Sequence, residues 1–179
     1  METVLKDLGK YKSNILTSLL NSDDIKDIIT DGKYDEDEWY GINDDDNGIL
    51  YKQIFPTLYI DETQTEVKSY ICFDTECPRI PTGTTKNVKI IIWCLCHKQH
   101  MRYNKKGYWG NRADILADAV EQTLREFEKN NMEKGKGKYG IGSLQLESVT
   151  IRSSDNKKYY GRQLVFNAPD FLFKDKEWS

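Results

Sequence analysis

Asn87-Val88-Lys89-Ile90-Ile91-Ile92-Trp93-Cys94-Leu95-Cys96-His97 reads as a strand with two apolar faces. Alternation puts Val88, Ile90, Ile92, Cys94 and Cys96 on one side, and Ile91, Trp93 and Leu95 on the other. A strand with both sides apolar must be covered on both, which places it at the centre of a sheet. Outward from this centre, β-branched and aromatic residues at period two mark further strands near 57–60, 67–74, 144–152 and 161–168. In the fourth strand the apolar phase slips between Leu144/Leu146 and Val149/Ile151, which predicts a bulge or a strong twist.

Helices supply the cover. Ala113, Leu116, Ala117, Val120, Leu124 and Phe127 follow the i, i+3, i+4, i+7 spacing of a helix over 112–129, with Asn111 as its N-cap. Leu5, Leu8, Tyr11, Ile15 and Leu19 give a second amphipathic helix over 3–20. Ser22 then caps a shorter one whose Asp23 and Asp24 suit a helix start and whose Ile25, Ile28 and Ile29 form the apolar stripe, ending near Asp31-Gly32. The long helix covers one sheet face; the other is left to the N-terminal helices or to a neighbouring subunit. The fold class is therefore α+β: an antiparallel or mixed sheet of four to five strands, packed by a long amphipathic helix and accompanied by N-terminal helices.

The chain of 179 residues fits one domain, 1–179, with helices in 1–31, an acidic loop at 33–50 and the α+β core at 53–171. It is 38% apolar and 31% charged with a net charge of −3, too balanced for a general nucleic-acid binder. The charge is unevenly placed, however. Residues 23–46 hold 11 acidic and 2 basic side chains, a local charge of −9, leaving 18 acidic against 24 basic elsewhere. No apolar run approaches the ~20 residues of a membrane span, and the first residues lack the pattern of a signal peptide. Cys72, Cys77, Cys94 and Cys96 are accordingly expected as free thiols, in a protein made in the cytoplasm and without a membrane partner.

Several motifs carry possible chemistry, and each has a plainer reading. Asp74 and Glu76, at i and i+2 in Phe73-Asp74-Thr75-Glu76, share a strand face like the metal-binding carboxylates of proofreading exonucleases. Pro78 and the lack of matching partners among Asp114, Asp118 and Asp170 favour a polar strand end. Cys94, Cys96, His97 and His100 are zinc-type ligands, but His97 points away from the two thiols, so buried thiols are expected. Asn43, Asp45, Asn47 and Gly48 imitate a calcium loop whose twelfth position is Ile54, which donates nothing. No serine, cysteine or histidine arrangement forms a nucleophilic triad. The expectation is a non-enzyme with no cofactor and no metal. Candidate interface residues are Asp35, Glu36, Asp37, Glu38, Asp44, Asp45 and Asp46 of the acidic loop, Tyr108 and Trp109 before the long helix, and Lys134, Lys136 and Lys138 in the glycine-rich basic loop. Tyr103, Tyr108 and Trp109 read as lid packing or an interface rather than a base-stacking platform.

The order of elements, with Phe55-Pro56-Thr57-Leu58-Tyr59, Thr63-Gln64-Thr65-Glu66, Gly110-Asn111-Arg112-Ala113-Asp114-Ile115-Leu116, Gly140-Ile141-Gly142-Ser143-Leu144 and Gly161-Arg162-Gln163-Leu164-Val165-Phe166, resembles the tail terminator, or tail-completion, proteins of long-tailed bacteriophages across residues 53–171. The resemblance implies a structural virion protein that forms a ring, usually of about six subunits, at the head-proximal end of the tail. Such a ring ends tail-tube polymerisation and joins tail to neck. Its partners would be further copies of itself, the tail tube protein and a neck or connector protein, with DNA passing through the lumen. The alternatives are a connector, adaptor or stopper of the same neck, a metal-dependent nuclease using Asp74 and Glu76, and a small module that binds a host protein.

Overall fold

The computed structural model describes residues 4–33, 50–79, 85–132 and 144–171. Helix α1 spans Val4–Leu20 and α2 spans Asp23–Thr30. Strands β1 (Ile54–Phe55), β2 (Ser69–Glu76) and β3 (Thr85–His97) follow, then a 3₁₀ turn at Lys98–His100. The long helix α3 (Arg112–Met132) and strands β4 (Gln145–Ser153) and β5 (Tyr159–Phe171) complete the order. The five strands lie in the order β1-β2-β3-β5-β4, with β1 parallel to β2 and the other pairs antiparallel. The fold is α+β, and β3 is its central strand.

The N-terminal helices form where their caps place them. The Ser22 hydroxyl accepts from the Ile25 N–H at 3.4 Å, and Asp31, at φ 57, ends α2 in the left-handed conformation. Along α1, Tyr11, Ile15 and Leu19 are buried, but Leu5 is 80% exposed, against the expectation that it joins their stripe. The Leu8 carbonyl accepts from the Thr75 hydroxyl at 3.2 Å, near the end of β2, so Leu5, one turn earlier, has run past the strand.

The three α-helices of the described residues lie on one sheet face. Tyr11, Ile15, Leu19, Ile25, Ile28, Leu116, Val120 and Leu124 pack there against Ile71, Phe73, Ile90, Ile92, Leu164 and Phe166. This removes one of the two covers foreseen for the far face, because α1 and α2 sit beside α3 rather than opposite it. It also explains why Ile115 and Ala119, outside the periodic stripe read for α3, are buried: α1 and α2 pack along its flank. The helix also runs to Met132, past the end read at 129.

On the far face Tyr70, Cys72, Leu95 and Tyr159 form a second, smaller cluster, with Phe55, Ile60 and Trp93 packed against it. Its cover is the segment after β1. The strand expected at 57–60 is absent; pairing with β2 stops at Phe55, because Pro56 has no N–H to extend a ladder and the chain instead turns over the sheet. The Tyr159 hydroxyl donates to the Glu66 carbonyl at 2.7 Å, and the Asn156 amide donates to the Glu62 and Gln64 carbonyls at 2.9 and 3.1 Å, fastening that segment down. Beyond it, Ile91 and Val165 are half-buried.

The phase slip in β4 is a bulge. Leu146 pairs with Phe166 and Ser148 with Val165, so Glu147 is the extra residue. The bulge lets Leu146, Val149 and Ile151 share the helix-side face although their numbers differ in parity. One strand contact needs glycine: a Cβ on Gly161 would lie 1.8 Å from the Cys94 carbonyl oxygen, so at this point of the β3–β5 ladder the backbones approach too closely for any side chain.

Candidate interaction surface

The segment between β3 and α3 is irregular, yet it is held from several sides. Asn111 caps α3, its Oδ1 accepting from the Ala113 and Asp114 N–H groups at 3.0 and 3.1 Å, and the Asp114 carboxylate accepts in return from the Asn111 N–H at 3.4 Å. Arg112 is 3% exposed. Its guanidinium donates to the His100 and Ile28 carbonyls and pairs with Asp31, each at 2.7 Å, and lies 4.2 Å from the centre of the Tyr103 ring. A buried cation is tolerable only with this degree of satisfaction.

A second clasp lies one turn away. Lys105 Nζ is 2.9 Å from both Asp24 and Asp27, and the Tyr108 hydroxyl donates to Asp24 at 2.6 Å. The hydrogen bond from Tyr108 is the largest influence on Asp24 and, with Lys105, holds its carboxyl below the usual value despite burial. Burial disfavours charge on Asp31 as well, but Arg112 and His100 outweigh it and the pKa is again lowered. Burial likewise opposes the charge on Lys105, and its two aspartates overcome it, raising its pKa. Between these clasps Gly107 and Gly110 take positive φ, 88° and 104°, and Trp109 stands 89% exposed. An exposed indole on a rigid loop is the form that interface anchors take, because little ordering remains to be lost on binding.

The far sheet face offers a second surface. Trp93 donates to Gln163 at 2.9 Å, and the Arg152 guanidinium lies 4.2 Å from the Trp93 ring centre. Beside them a cleft of about 100 Å³ opens between Leu58, Ile60, Glu62, Trp93, Arg152 and Asp155. It is the size of one side chain, well below the roughly 300–1,000 Å³ of small-molecule sites.

The residues singled out by sequence fare differently. Asp35, Glu36, Asp37, Glu38, Asp44, Asp45 and Asp46, and Lys134, Lys136 and Lys138, lie outside the described residues. Tyr108 and Trp109 are adjacent but differ: Tyr108 is engaged with α2, and Trp109 is open. Asp74 pairs with Lys12 at 2.6 Å and accepts from the Thr75 N–H, while Glu76 is exposed. Cys72, Cys94 and Cys96 are buried free thiols and Cys77 is a partly exposed one. Burial pushes the thiols of Cys72 and Cys96 up to about 12. His97 accepts from the Gln99 N–H at 3.2 Å, on the far side from Cys94 and Cys96. Among the described residues no group of three or more His, Cys, Asp or Glu is placed to hold a metal, and no helix is long and apolar enough to cross a membrane. Sequence reading missed the Lys105–Asp24–Asp27 clasp and the Arg152–Trp93 stack, whose partners are far apart in the chain and carry no local signal.

A protein-family model described as YomW matches residues 13–168. No curated protein matches the chain.

Proposed function

This chain belongs to the YomW family, a family of phage derivation (Bacillus SPbeta type), and on that premise we propose that it is a structural protein of the virion, built to be completed by neighbours. The observation that carries the reading is the one-sided layering of the fold. Among the described residues, helices crowd one face of the sheet, while the other, where Ile91, Trp93 and Val165 are partly exposed, carries the segment after β1. A second subunit is the natural cover for such a face, and head-to-tail contacts that close on themselves give rings. Together with the resemblance over residues 53–171, this favours a tail terminator: a ring of about six copies, capping the tail tube and presenting its other side to the neck. Trp109 and the far sheet face are the surfaces available to the tube, the neck protein or the adjoining subunit, and the charge imbalance between residues 23–46 and the rest favours unlike neighbours on unlike sides. A connector or stopper of the same neck is the nearest alternative. The nuclease reading has less support, since Asp74 is engaged by Lys12.

Immunogold electron microscopy of phage particles, with antibody raised against this chain, tests the assignment. Label is expected at the junction of head and tail. Tailed particles without label there would overturn it, and tails of abnormal length in particles lacking the protein would favour terminator over connector.

A further inference from the structure

The sheet has two edges, and they are treated differently. On the β1–β2 side, β1 pairs along part of β2, and α1 reaches the remainder through the Thr75–Leu8 hydrogen bond and the Lys12–Asp74 ion pair. On the other side, no strand among the described residues pairs with the outer edge of β4. α3 makes its main sheet contacts with β3 and β5, and Val149 and Ile151, on the helix-side face of β4, are 49% and 80% exposed. Proteins normally guard such an edge with charges. The two charged side chains of β4 are drawn elsewhere: Glu147 lies 3.5 Å from Lys89, and Arg152 is folded over Trp93. What remains along the edge from Ser148 to Ile151 is uncharged.

We propose that β4 pairs antiparallel with β4 of a second copy of this chain, about a two-fold axis at Thr150. The sequence of the edge is self-complementary in that register. Val149 falls opposite Ile151 of the second copy and Ile151 opposite its Val149, so four apolar side chains close into one strip on the helix side. Thr150 meets Thr150, a favourable cross-strand pair, and Arg152 faces Ser148, so no like charges oppose each other. An even register also keeps the helices of both copies on the same side of the joined sheet, whereas a slip of one residue would set Val149 and Ile151 against residues of the opposite face. The contact is isologous and is therefore separate from the head-to-tail contact of a ring; it stands whether or not the ring forms.

Sedimentation of the purified full chain, together with disulfide trapping, tests the pairing. The two Thr150 positions would have Cα atoms about 4.5–5.5 Å apart, inside the range a disulfide spans. In a Cys77→Ser background, Thr150→Cys is expected to oxidise to a covalent dimer, and Ser153→Cys, which would face Glu147, is expected to form no covalent cross-link. Ile151→Lys should weaken self-association about tenfold or more, equivalent to about 1.4 kcal/mol, with an unchanged circular dichroism spectrum because the side chain is exposed. A wild-type chain that remains monomeric would overturn the proposal. So would an oligomer that survives Ile151→Lys without the Thr150→Cys cross-link, although a six-fold species of that kind would still support the ring.

Discussion

Tyr108, Lys105, Asp24 and Asp27 show at the level of single residues how an irregular segment becomes rigid. The segment from Met101 to Asn111 has little regular backbone bonding, and side-chain ion pairs to α2 replace it. The consequence is a pH dependence with a definite sign. Asp24 and Asp31 have pKa values below the ordinary 3.8, so their stabilisation is fully present above that value and is lost as pH falls through their folded-state pKa. Thermal midpoints should therefore hold from neutral pH down to about 4 and fall below it. Asp24→Asn should lower stability at neutral pH by about 1 kcal/mol, a modest figure because Asp24 is partly exposed, and should make the acid loss shallower. Melting curves across pH for both proteins check this; parallel curves would show that the clasp contributes nothing.

Among the elements, two glycines forecast opposite outcomes for the same substitution. Gly9 lies within α1 with nothing within 4 Å of where an alanine methyl would sit, so Gly9→Ala should stabilise the helix by about 0.5–1 kcal/mol. Gly161 lies opposite Leu95 in the β3–β5 ladder, and Gly161→Ala would force the Cys94 carbonyl aside. Because the obstacle is backbone in the central strand, the cost should be about 3 kcal/mol or more. Urea denaturation of the two variants separates these signs. Near-native stability for Gly161→Ala would mean that β3 and β5 can part without loss of the core. The bulge at Glu147 belongs with these strands: it was foreseeable because the apolar phase changed parity, and it keeps Leu146, Val149 and Ile151 on one face.

For the molecule as a unit, the central fact is asymmetry. Among the described residues, one sheet face carries three helices and the other the segment after β1, one sheet edge is lined by β1 and α1 while the other, β4, exposes Val149 and Ile151, and Trp109 projects from a clasped loop. A domain so arranged presents distinct surfaces to distinct neighbours, which suits a component of a junction. Trp109→Ala should leave folding stability within about 0.5 kcal/mol, since the side chain is exposed, while lowering incorporation into particles or the yield of joined heads and tails. Unfolding curves and particle counts from the same variant check the two halves of that expectation. Normal incorporation would remove Trp109 from the interface.

Most of the elements and the centre of the sheet were legible in the chain itself. The apolar faces of 87–97, the helical spacing in α3, the caps at Ser22 and Asn111 and the parity change in β4 are local patterns, and backbone geometry converts them directly into structure. Which face the N-terminal helices cover was settled by packing alone, because their apolar stripes fit either side of a sheet that is apolar on both. The same holds in part for the short β1 in place of a strand at 57–60, where Pro56 ends the ladder locally and the fastening of Glu62, Gln64 and Glu66 carries the chain over the sheet. It holds too for the candidate surfaces. Exposure of Trp109, Val149 and Ile151 depends on where distant helices stop, and no local pattern in the chain encodes that distance.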